Sequence, residues 1–66
     1  MLYRVKFKRP DGTMAWLGEA GCGPTDDENK SPAVELGQAE YLADERNYVH
    51  GRSGWEYFVV PAVEAA

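Results

Sequence analysis

The chain has one cysteine, Cys22, and one histidine, His50, among 66 residues. A single cysteine excludes an intramolecular disulfide, and one Cys with one His falls short of a structural zinc set. Long apolar runs are also missing. The opening MLYRVKFKRP alternates apolar with basic residues, so it offers no signal-peptide core. Nothing approaches the roughly 18 apolar residues that a membrane-spanning helix needs. There is no internal repeat and no low-complexity tract. These absences describe a reduced, cytoplasmic protein, a monomer or weak homodimer, whose small core relies on aromatic burial and, in the dimer, on self-association. A length of 66 residues suits one domain, 1–66. Domains of this size bury about 60% of the surface their unfolded chains expose, which leaves little room for a deep substrate pocket.

Charge is present but unevenly placed. The net charge of −4 combines two opposed regions. Residues 1–18 carry Arg4, Lys6, Lys8 and Arg9 against Asp11, a balance of +3. Residues 19–45 carry Glu19, Asp26, Asp27, Glu28, Glu35, Glu40, Asp44 and Glu45 against Lys30, a balance of −7. Two electrostatic surfaces follow from that asymmetry, one basic and one acidic.

The periodicities predict the order ββαβ. Tyr3, Val5 and Phe7 alternate with Arg4, Lys6 and Lys8, the pattern of a half-buried strand. Pro10-Asp11-Gly12 supplies turn chemistry, and a second strand over about Thr13 to Leu17 completes a hairpin. No periodicity is visible from Gly18 to Lys30, where three glycines and Pro24 read as a long acidic loop, 18–30. Ser31-Pro32 has the form of a helix start, with serine capping and proline at the first helical position. Leu36, Ala39 and Ala43 make a narrow apolar stripe, with Val34 and Tyr41 on the helix flank. The helix is expected to reach about Tyr48, with Gly51 in the left-handed conformation that ends it. Trp55 to Val60 reads as a third strand stopped or placed at an edge by Pro61, and the tail at 62–66 as frayed. The fold class is therefore α+β: a three-stranded antiparallel sheet, order 2-1-3, with one helix on one face. That packing would bury Tyr3, Val5, Phe7, Trp16, Leu36, Ala39 and Tyr57. It would leave Arg4, Lys6 and Lys8 on the open face beside Phe58 and Val60.

Chemistry-bearing constellations are sparse. Cys22 and His50 form the one conceivable nucleophile–base pair, but both fall in presumed loops and no residue orients them. Asp26, Asp27 and Glu28 lack the alternation and central glycine of a calcium loop. No catalytic residue, metal or cofactor is expected, and the chain reads as non-enzymatic.

The acids themselves have two explanations. Carboxylates before a helix favour its dipole, and a charged helix stays soluble. Yet Glu40 and Asp44 repel at i, i+4, and Asp44 and Glu45 oppose the dipole near the helix end. Those choices cost local stability and point to a surface that meets a basic partner. Asp26, Asp27, Glu28, Glu35, Glu40, Asp44 and Glu45 would supply it, with Tyr41 or Tyr48 as anchor. The alternatives are a small nucleic-acid-binding module on the basic face of Arg4, Lys6 and Lys8, and a structural module that self-associates.

As a whole the chain resembles the small acidic inhibitors of phages and mobile elements, particularly anti-CRISPR proteins. It shares with them its size, acidity, compact α+β pattern and lack of a catalytic motif. The resemblance is of class and transfers no binding residues. It implies a phage-borne protein acting in the host cytoplasm by DNA mimicry. Its partner would be a host nucleic-acid-binding protein or a CRISPR effector subunit, with neither direct nucleic-acid binding nor membrane association.

Overall fold

A computed structural model describes residues 1–18 and 23–62. The elements are β1 (Tyr3–Lys8), β2 (Met14–Trp16), α1 (Leu36–His50) and β3 (Glu56–Pro61), with short 3-10 turns at Glu28–Lys30 and Gly51–Ser53. The strands form one antiparallel sheet, order β2-β1-β3, as the sequence predicts. Cys22 and the tail beyond Ala62 lie outside the described residues.

The hairpin turn is closed by Asp11. Its carboxylate accepts from the Thr13 hydroxyl at 2.6 Å and the Thr13 amide at 2.9 Å. Gly12 takes φ 92°, a conformation that disfavours side chains with a Cβ. The Thr13 hydroxyl, then its amide, hold the Asp11 carboxyl below its ordinary pKa of 3.8. Stability from the ionised form is present above 3.8 and is lost as pH falls through the depressed folded-state value. Asp11→Asn is thus expected to lower the melting temperature at neutral pH, with the gap to wild type closing in strong acid. A melting series against pH measures this, and a gap that stays constant would exclude the ionised turn as its cause.

Hairpin register decides which side of the sheet each residue meets. Lys6 faces Trp16, Phe7 faces Ala15 and Lys8 faces Met14. Phe7 and Val5 point to the helix, so Ala15 joins them, and the expectation of a buried Trp16 is corrected: it stands on the open face with Lys6. The buried apolar residues are Val5, Phe7, Ala15, Ala39 and Ala43. Tyr3 and Tyr57 are half-buried and pack against this core, while Leu36 is 44% exposed instead of buried. The alanines let α1 lie close to the strands, and Phe7 is the one large side chain that is fully buried among the described residues.

The helix begins later than the Ser31-Pro32 signal suggests. Ser31 is buried, and its hydroxyl donates to the Leu17 carbonyl at 2.6 Å instead of capping a helix. Val34 is extended: its amide donates to Tyr3 O and its carbonyl accepts from Tyr3 N. The stretch read as irregular also lends Thr25 to the sheet, through a two-way backbone bridge to Trp16. Residues 25–34 thus satisfy strand edges on the β2 side of the sheet, and α1 starts only when they are released. Glu35 occupies the N-cap position without a side-chain capping bond.

At the far end, Gly51 is right-handed, with φ −58°, and a 3-10 turn follows. The left-handed residue is Gly54, φ 89°, whose amide donates to Gly51 O at 3.2 Å. A Cβ there would also stand 3.3 Å from the Pro10 ring. β3 runs through Pro61, an edge position where a missing N–H costs nothing.

Candidate interaction surfaces

Alternation along β1 separates the charged groups into layers. Val5 packs against Ala39 and Ala43 of α1, so Arg4, one residue earlier, points to the open side of the sheet. There its Nε donates to the Ser31 carbonyl at 3.0 Å, and Nη1 stands 3.6 Å from the Glu28 carboxylate. The Arg4 side chain is only 11% exposed, and Nη1 is buried without a hydrogen bond. Glu28 is therefore held on the side of the sheet away from the helix. Asp27 is committed locally, accepting from the Asn29 amide at 3.0 Å, whereas Asp26 is an exposed loop residue. Glu35 is exposed at the helix entrance. Glu28 is thus paired with Arg4 beside the sheet, where Thr25 and Val34 bridge to Trp16 and Tyr3, while Glu40, Asp44 and Glu45 stand on α1.

The helix acids are brought together with the tyrosines. Ala39 and Ala43 mark the buried side of α1, with Leu42, Asn47 and His50 half-buried around them. Tyr41 and Tyr48, seven residues apart, fall on the side away from the core and are 64% and 89% exposed. Asp44 and Glu45 lie between them at i+3 and i+4 from Tyr41, and Glu40 flanks the row; all three are exposed. The single ion pair among the described residues is Arg4–Glu28, so no cation neutralises these helix carboxylates. The Glu45 carboxylate accepts from the Tyr41 hydroxyl and, with its charge, raises the Tyr41 pKa above 10.0. Gly37, one turn before Tyr41, is exposed, and a Cβ on it would meet nothing within 4 Å. Glycine in a helix costs about 0.5–1 kcal/mol relative to alanine, and no internal contact requires it here.

The open face is more aromatic than the sequence indicates. Lys6, in the central strand β1, faces Trp16 of β2 on one side and Phe58 of β3 on the other, and its Nζ sits 4.9 Å from the Trp16 ring centre. Arg4 faces Val60, and Lys8 faces Glu56. Of the basic trio, Arg4 is taken up by Ser31 and Glu28, Lys6 covers a ring, and Lys8 is exposed. Trp16 was missed as a member of this face because only the pairing of Lys8 with Met14 sets its side. His50 lies against Trp55 and Tyr57, with ring centres 6.5 and 6.3 Å away. No cluster of three or more His, Cys, Asp or Glu residues suited to a metal occurs among the described residues. No described helix is long and apolar enough to cross a membrane.

No protein-family model matches this chain, and no curated protein or solved structure matches it either.

Proposed function

We propose that the chain is a non-enzymatic binding protein whose acidic, tyrosine-bearing helix face engages the basic nucleic-acid groove of a partner protein. The observation that carries this reading is the row Tyr41, Asp44, Glu45, Tyr48. Its two aromatic rings are turned to solvent and its carboxylates have no cation. A face needed only for solubility has no use for tyrosines at its crown, whereas tyrosine is a frequent anchor of protein interfaces. Unpaired carboxylates speed encounter with a basic surface and make binding depend on salt. The compensating contacts for Gly37 would come from the partner's close approach. The inhibitory role of the anti-CRISPR class, with an effector subunit as partner, is the form of this proposal that the class resemblance suggests.

The test is capture by the tagged chain, followed by competition. Proteins retained by wild type should be nucleic-acid binders, released by duplex DNA and by raised salt. Asp44→Lys with Glu45→Lys should weaken their retention at least about tenfold while the circular dichroism spectrum is kept. Retention that survives both the charge reversal and excess DNA would overturn the reading.

A second reading is favoured by Lys6 lying between Trp16 and Phe58. Cations interleaved with rings suit the backbone and bases of a single strand. Fluorescence anisotropy with a labelled oligonucleotide at low salt separates the two. Direct binding that is lost in Lys6→Glu supports the sheet face, and no binding by wild type eliminates it.

A further inference from the structure

On the core side of α1, away from Tyr41 and Tyr48, an open cavity of about 330 Å³ lies beside the aromatic end of the core. Phe7 forms part of its wall, with Tyr57 and Trp55 at ring-centre distances of 5.0 and 5.7 Å. His50 and Arg46, one helical turn apart, line it from α1, and Leu17 lines it from the end of the hairpin.

We infer that this cavity binds a small planar molecule carrying a single anionic group, a flat ring bearing a carboxylate or a phosphate. Three observations converge on that chemistry. His50, Trp55 and Tyr57 line the cavity with half-buried rings over the buried Phe7, beside Leu17, Gly18 and Pro24, and flat aromatic faces favour a flat partner by stacking. The volume lies at the lower end of the roughly 300–1,000 Å³ of small-molecule sites. Arg46 is the one Lys or Arg on the helix and the one that lines this cavity, and like every described basic residue except Arg4 it has no carboxylate partner among the described residues. A guanidinium lining a cavity offers two parallel donors to a carboxylate or phosphate.

The walls are also held in place before any ligand arrives. Phe7 is buried at 1% exposure. The Tyr57 backbone is gripped on both its N–H and C=O by the Asn47 side chain, at 2.8 and 2.9 Å. A site that needs no rearrangement loses less entropy on binding.

The experiment uses the full chain, labelled with ¹⁵N, and follows its two indole N–H signals. Trp55 lines the cavity, while Trp16 lies on the open face and serves as the internal control. The probes are indole-3-acetate and adenosine monophosphate, with indole, adenosine and inorganic phosphate as matched compounds lacking the charge or the ring. The expected result is a saturable shift of the Trp55 signal with at least one anionic ring, and an unmoved Trp16. Comparing indole-3-acetate with indole, and adenosine monophosphate with adenosine, isolates what the carboxylate and the phosphate each contribute. The uncharged analogue and inorganic phosphate should bind at least about tenfold more weakly, and Arg46→Gln should raise the dissociation constant of the anionic probe by about the same factor. Arg46 is exposed, so this variant should retain the wild-type spectrum. A silent Trp55, equal movement of both tryptophans, or an unchanged constant in Arg46→Gln would each overturn the inference. The charge-reversed helix variant should bind the anionic probe at least as tightly as wild type, because it adds positive charge beside Arg46, so the outcome is independent of whether the helix face binds a protein.

Discussion

Phe7→Ala is expected to leave most of the chain unfolded at room temperature. Phe7 is the only large side chain that is fully buried among the described residues, and the rest of the core is Val5 and three alanines. Removing a buried phenylalanine costs about 3–5 kcal/mol, the lost transfer energy plus the cavity left behind. Domains of ordinary size have only about 5–15 kcal/mol in total, and one this short sits near the lower end. Collapse around the gap is hindered because Ala15, Ala39 and Ala43 carry only a methyl group, which no side-chain rotation can move into it. The Tyr57 and Trp55 rings would lose their packing partner in the same step. Loss of the cooperative thermal transition by circular dichroism is the expected outcome. A transition retained within about 5 °C of wild type would mean that the core does not depend on this ring.

Asn47→Ala is expected to have the second largest effect, for a reason that involves no apolar burial. β3 is one of the two edge strands, and Tyr57 faces Phe7 across the pair with β1. The Asn47 amide group donates to the Tyr57 carbonyl and accepts from the Tyr57 amide, standing in for a neighbouring strand. One side chain thereby joins α1 to β3 and blocks an edge that would otherwise be open to another chain. Each such bond contributes about 0.5–1.5 kcal/mol, so losing both costs about 2 kcal/mol. For a domain of this length that corresponds to a fall of roughly 10 °C in melting temperature. Greater self-association in sedimentation should accompany it as the edge is uncovered. A melting temperature unchanged from wild type would show that water replaces the asparagine without loss.

The strands were legible in the sequence because alternation is a local property. Tyr3, Val5 and Phe7 have one side of β1 to themselves whatever the rest of the chain does, and the proline and glycine around them mark the turn and the edge. The 2-1-3 order follows from one helix returning the chain across a short sheet. The helix start was misread because Ser31-Pro32 carries the same local signal whether or not a helix follows. Only the Leu17 carbonyl, 14 residues earlier, uses the Ser31 hydroxyl for something else. The C-terminal glycine was misplaced for a similar reason: Gly51 and Gly54 look alike in sequence, and the close approach of Pro10 distinguishes them.

The candidate surfaces divide along the same line. The sequence by itself determined that the chain is α+β, that its middle is acidic and that its first strand is basic on one side. It also determined that Tyr41 and Tyr48 share a helix face with Asp44 and Glu45, because residues three, four and seven apart in a helix are neighbours. Tertiary structure decided the rest. The two-way bridges at Thr25 and Val34 drew residues 25–34 onto the sheet and brought Glu28 to Arg4. Hairpin register sent Trp16 outward beside Lys6. The meeting of Phe7 with Arg46, His50 and Trp55 around one cavity brings β1 to the end of α1 and the entry to β3, both far later in the chain, and no spacing within any one of them encodes it.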